Sequence, residues 1–147
     1  ERILPGIFGL NTLVSPKGDR VLYSETYGDG LSIKTFVRKD RKTIDIPTVT
    51  LPEKCVWSRN EPTYVFCAVP QTIQGKEYPD TWYMGLTSFN DQIWKIDTDS
   101  GGATLIAIPR ETTPEEIDAT NLSLSKNENI LLFINKKDGA LWSLNLE

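Results

Sequence analysis

The sequence predicts an all-β chain assembled from three repeated units of antiparallel strands. Two observations carry that prediction. Fifteen threonines, two-residue alternation of apolar positions and frequent Gly, Pro, Asn and Asp favour strands and turns over helices. A strand–serine–turn–strand pattern also recurs three times along the 147 residues.

The repeat is read from residues 13–23, 56–66 and 123–133. Each has Ser15, Ser58 or Ser125 near its start and an aromatic eight residues later, Tyr23, Phe66 or Phe133. The serines stand 43 and 67 residues apart, and the longer interval holds an extra stretch at 71–90. Without it the period is in the mid-forties, the size of one four-stranded propeller blade. A second marker runs in phase: Ile3-Leu4-Pro5, Ile44-Asp45-Ile46-Pro47 and Ile106-Ala107-Ile108-Pro109 each end a short apolar strand. Strands at 31–36, 93–97 and 141–145 occupy the third place of each unit.

The units are then counted in order. Residues 1–5 read as a lone fourth strand, 11–48 as a full blade, 54–109 as a blade with the 71–90 insertion, and 118–147 as a blade lacking its fourth strand. The N-terminal strand is expected to complete that last blade, in the same chain or in a partner. Only Thr113-Pro114-Glu115-Glu116-Ile117 has helical character, with Thr before Pro and early carboxylates, and one turn is expected there.

Residues 14–23 (Val-Ser-Pro-Lys-Gly-Asp-Arg-Val-Leu-Tyr) and 93–101 (Ile-Trp-Lys-Ile-Asp-Thr-Asp-Ser-Gly) resemble the repeats of TolB-type and WD-like β-propellers. Residues 55–58, 67–70 and 78–83 resemble uncharacterised propeller proteins of candidate-phylum bacteria. The resemblance implies three four-stranded blades, half of a six-bladed ring. Closure would then come from a second copy, as a homodimer, or from the remainder of a longer propeller. Propellers host many unrelated activities, so the likeness speaks to fold and not to function.

Composition excludes several chemistries. Histidine is absent, which removes Ser-His-Asp and Cys-His catalysis and imidazole-based zinc sites. Sixteen basic against twenty acidic residues give a net charge of −4, which does not suit a phosphate backbone, so no nucleic-acid partner is expected. Lys34, Arg38, Lys39, Arg41 and Lys42 read as a solvated hairpin tip. No apolar run reaches the ~18 residues that cross a bilayer, so no membrane insertion of this segment is expected. The start at Glu1 reads as a trimmed or excised piece.

Two sites stand out. A turn near 59–62 pairs Trp57 with Val65, and the same register sets Cys55 opposite Cys67. A cross-strand disulfide is expected, and with it an oxidising, extracytoplasmic compartment; two buried thiols packing as small hydrophobes are the alternative. The insertion is richer in aromatics than a solvated loop needs. Tyr78, Asp80, Trp82, Tyr83, Phe89 and Asn90 are the expected contacts to a protein, peptide or glycan, with Met84 beside them and Glu77 and Asp91 as further polar groups. The same residues would alternatively fold over the blade as a small satellite core or form a subunit contact. Trp57, Trp94 and Trp142 recur on strands and are expected in the core. Asp97, Asp99 and the following glycines form a partial calcium-loop pattern that a tight turn also explains. No cofactor, metal or catalytic set is expected. The function expected is a non-catalytic interaction module, with a self-assembling half-propeller as the alternative and a propeller hydrolase or lactonase behind both.

Overall fold

Alternation along single strands explains the architecture. In β6 (Tyr64–Pro70), Val65 and Cys67 point to one side and Phe66 and Ala68 to the other, yet all four are buried. A strand buried on both faces belongs to a sheet packed between two others. Val65 and Cys67 join Leu22, Ile33, Ile46, Cys55, Trp57 and Ile96 in one core. Phe66 and Ala68 join Ile93, Ile117, Ala119, Leu124, Leu131 and Phe133 in the next.

The computed structural model describes residues 1–28, 30–73 and 78–146. Among them, eleven strands form three antiparallel sheets. The first has the order β1 (Asn11–Val14), β2 (Arg20–Tyr27), β3 (Gly30–Val37), β4 (Lys42–Ile46). The second runs β5 (Cys55–Trp57), β6, β7 (Asp91–Asp97), β8 (Ala103–Ala107). The third holds β9 (Ala119–Leu124), β10 (Ile130–Asn135) and β11 (Leu141–Asn145). These are three successive propeller blades, and the fold class expected from the repeat holds. Trp57 is buried in the first core, and Trp94 and Trp142 pack half-buried against the cores.

The repeat serine has a mechanical role. After β1, the Ser15 carbonyl accepts from Gly18 N–H at 2.9 Å and its hydroxyl oxygen from Arg20 N–H at 3.0 Å. After β9, Ser125 does the same for Glu128 N–H at 3.0 Å and Ile130 N–H at 3.1 Å. Ser58 departs from this. Its hydroxyl donates across the blade boundary to the Glu128 carboxylate at 2.6 Å, which also accepts from Arg59 N–H and Asn60 N–H. Burial alone would raise that carboxyl; the three donors outweigh it and hold it below the usual range.

Two expectations are corrected. Residues 1–5 form no strand. Ile3 and Leu4, with Ile7, pack instead on Val21, Tyr23 and Phe36 of the first blade, and positive φ at Gly6 and Gly9 turns the chain toward β1. Within this chain β11 therefore remains an edge strand. Residues 113–117 form no helical turn, because the Thr113 hydroxyl bonds locally to Glu115 and the segment then extends toward Asp118. The α-helix found lies at Asp80–Tyr83, inside the insertion.

Candidate functional site: the insertion-bearing face

The insertion leaves the second blade between β6 and β7, closed at its base by the Gln71 N–H to Asn90 carbonyl bond at 3.0 Å. Residues 74–77, which include Glu77, lie outside the described residues. Beyond them, Pro79 opens the single turn of α1 (Asp80–Tyr83), accepting from Trp82 N–H and Tyr83 N–H at 3.1 and 3.0 Å. That turn aims Trp82 inward and Tyr83 and Met84 outward.

Inside, the insertion is a satellite core. Tyr78, Trp82 and Phe89 are buried with Leu51, and Tyr78 meets Phe89 edge to face at 5.1 Å. Trp82 is only 2% exposed, so this expected contact is an interior residue, as are Tyr78 and Phe89. Tyr83 and Met84 remain at the surface, and Asp80 lines clefts there. The Asn90 carboxamide is turned inward and finds no partner among the described residues.

Under the satellite core lies a charged cluster that periodicity does not reveal. Lys54, from the 3-10 turn Pro52–Lys54, is wholly buried. Its ammonium reaches Asp118 at 2.6 Å and Asp91 at 2.8 Å. Asp118 also accepts from the Trp82 indole N–H, at 3.0 and 2.9 Å to its two oxygens, and from Phe89 N–H at 3.1 Å. Asp91 Oδ2 accepts from Ala119 N–H at 2.7 Å, whereas Oδ1 finds no partner among the described residues. Burial raises the Asp91 carboxyl to about 6, with Lys54 pulling it down and Asp118 pushing it up. Nothing in the sequence separates Lys54 from a solvated lysine. Asp118 had one available signal, its place just before the first strand of a repeat.

The insertion is also tied to the neighbouring blades. Asn11, at the start of β1, donates to the Tyr83 hydroxyl at 3.0 Å, and the Glu53 carboxylate lies near that hydroxyl. Burial and then the neighbouring Glu53 carboxylate push the Tyr83 phenol up to about 12. Lys136, following β10, donates to the Trp82 carbonyl at 2.8 Å and lies 4.8 Å from its ring. One short segment thus bridges all three blades.

Its outer surface adjoins a series of clefts. One of about 410 Å³ lies between Leu10, Asn11 and Thr26 on one side and Pro79, Asp80 and Tyr83 on the other. A second, of about 620 Å³, shares Gly9, Thr26, Pro79 and Asp80 with it and adds Met84. A third, of about 390 Å³, continues past Thr26 to Phe8 and Tyr27. Gly9 is required at this junction: a Cβ there would stand 2.0 Å from Thr26 Oγ1, and its φ is +65°.

The other candidates resolve locally. Cys55 and Cys67 stand opposite each other as the register predicts and form a disulfide with Cα atoms 4.1 Å apart. The Asp97 carboxylate accepts from Asp99 N–H and the Ser100 hydroxyl, and Asp99 pairs with Arg20 at 3.0 Å, so both carboxylates serve the turn and the blade contact. Lys34 pairs with Glu25 and Asp45, Arg41 with Glu1, and Arg38 caps the Gly18 carbonyl.

No protein-family model matches the chain, and no curated protein matches it. Among solved structures, the crystal structure of TolB from Acinetobacter baumannii aligns over 99% of this chain with a TM-score of 0.56 at 10% identity. The crystal structure of the tricorn protease aligns over 92% with a TM-score of 0.34, also at 10% identity. The chain spans 34% of the TolB chain and 21% of the protease chain. At such identity the TolB likeness establishes the fold alone: this chain has a TolB-like arrangement of β-propeller blades.

Proposed function

We propose that the chain is a non-catalytic interaction module, working outside the cytoplasm, that docks a protein or peptide on its insertion-bearing face. One observation carries this. Phe8 and Tyr27, 84% and 82% exposed, and Met84 and Tyr83, 63% and 48% exposed, border one continuous run of clefts. Large side chains gathered in this way mark contact surfaces, and aromatics are their usual anchors. Tyr83 is preorganised by the bond from Asn11, which lowers the ordering cost of binding. The mixture of Met, Leu and aromatics around Asp80 suits a peptide better than a sugar. The disulfide supports an oxidising compartment.

The test uses peptides selected from a displayed random library against the wild-type chain. The paired substitution Tyr27→Glu with Met84→Lys is expected to weaken the selected peptides at least about tenfold while leaving the thermal midpoint unchanged. Equal affinity for the folded double variant overturns the reading.

A second reading rests on β11. Among the described residues the first two blades have four strands and the third has three, so a fourth strand from a second copy or from further chain would complete it. Residues 3–5 carry the sequence pattern that ends β4 and follows β8, which makes a second copy of this chain one supplier.

A further inference from the structure

We infer that Lys54, Asp91 and Asp118 form a proton-sensitive clamp on the insertion, which closes more firmly when Asp91 takes up a proton. The argument starts from charge. One ammonium and two carboxylates, all wholly buried, leave one excess negative charge away from water. Such a charge is costly unless donors surround it.

The two carboxylates are unequally served. Asp118 receives Lys54, the Trp82 indole and Phe89 N–H over both oxygens. Asp91 receives Lys54 and Ala119 N–H on one oxygen only. The excess charge therefore falls on Asp91, and a proton on Oδ1 makes the cluster neutral without removing any of its hydrogen bonds.

The groups facing Asp91 agree with this assignment. Lys54 comes from the turn before β5, Asp118 from the segment before β9, and Tyr78 from the insertion, while Glu53 of the same turn acts on Tyr78. Burial and the nearby carboxylates push the Tyr78 phenol far above its ordinary range, so it stays neutral. Lys136 lies 4.8 Å from the Trp82 ring and holds the Trp82 carbonyl.

The direction follows from linkage. Asp91 titrates at about 6 when closed, against an ordinary value of 3.8 when the insertion opens to water. The closed state binds the proton more tightly, so closure is favoured at acidic pH and that advantage is lost as pH rises through about 6. Tyr83 and Met84 ride on this segment, so the proton would regulate the contact face; that consequence rests on the docking reading above.

The reporters are the Trp82 indole N–H and the Phe89 amide N–H, both donors to Asp118. Hydrogen exchange is measured by NMR and corrected for the intrinsic pH dependence. Protection is expected to be about tenfold greater at about pH 5 than at about pH 7.5. Asp91→Asn is expected to remove the difference. Equal protection in the wild type, greater protection at the higher pH, or a dependence retained by a folded Asp91→Asn variant overturns the clamp. The wild-type profile decides alone where the variant does not fold. No ligand enters this experiment, so its failure is separate from failure of the docking face.

Discussion

Trp82 carries two jobs in one side chain. Its ring fills the satellite core, and its indole N–H bridges both oxygens of Asp118. Trp82→Phe keeps a six-membered ring in the satellite core, removes the donor and leaves a small void where the five-membered ring stood. Asp118 retains Lys54 and Phe89 N–H, so the lost bond costs about 1–3 kcal/mol, the usual figure for a bond to a buried charged group, and the void adds to it. Urea unfolding of wild type and variant reads it directly, and an unchanged midpoint would show that the indole bond carries no weight. At this scale the sequence is legible only in part. The Cys55–Cys67 pairing followed from register, because a tight turn fixes every opposite pair at once. The inward turn of Trp82 did not, since a four-residue helix sets it and no periodicity of that length can be read. Lys54 was equally hidden: its burial depends on Asp91 and Asp118, which are 37 and 64 residues away.

Among elements, the strands were legible and the irregular segments were not. The serine repeat located β1–β2, β5–β6 and β9–β10 because each serine organises its turn with the same local hydrogen bonds or a close variant of them. Residues 113–117 misled because Thr-Pro-Glu-Glu also suits a local turn, and the chain must extend there to deliver Asp118. Residues 1–5 carry the pattern of a fourth strand yet find an apolar seat on Val21, Tyr23 and Phe36. That seat competes with pairing along β11, where Leu141 is exposed. If strand exchange between two copies completes the third blade, light scattering at rising concentration gives about twice 16.6 kDa, and Leu141→Lys reduces that mass to the monomer. A monomeric wild type at every concentration removes the exchange.

For the whole molecule, the insertion is the part that makes three blades one surface. It touches Asn11 of the first blade, grows from the second, and takes Asp118 and Lys136 from the third. The repeat period revealed the blades and marked 71–90 as extra, but the contact face was legible only in outline. Phe8 and Tyr27 belong to it through the cleft they share with Thr26 and Gly28, and no spacing in the sequence places that cleft next to the one Met84 lines. The docking face is the central claim, and chemical-shift mapping tests it most directly. A library-selected peptide is titrated into the isotope-labelled chain and the perturbed amides are located. The account predicts perturbations concentrated at residues 7–12, 26–28 and 78–86, around the clefts that Thr26 and Asp80 line. Perturbations running instead along β11, or confined to the turns that hold Ser15, Ser58 and Ser125, would contradict it.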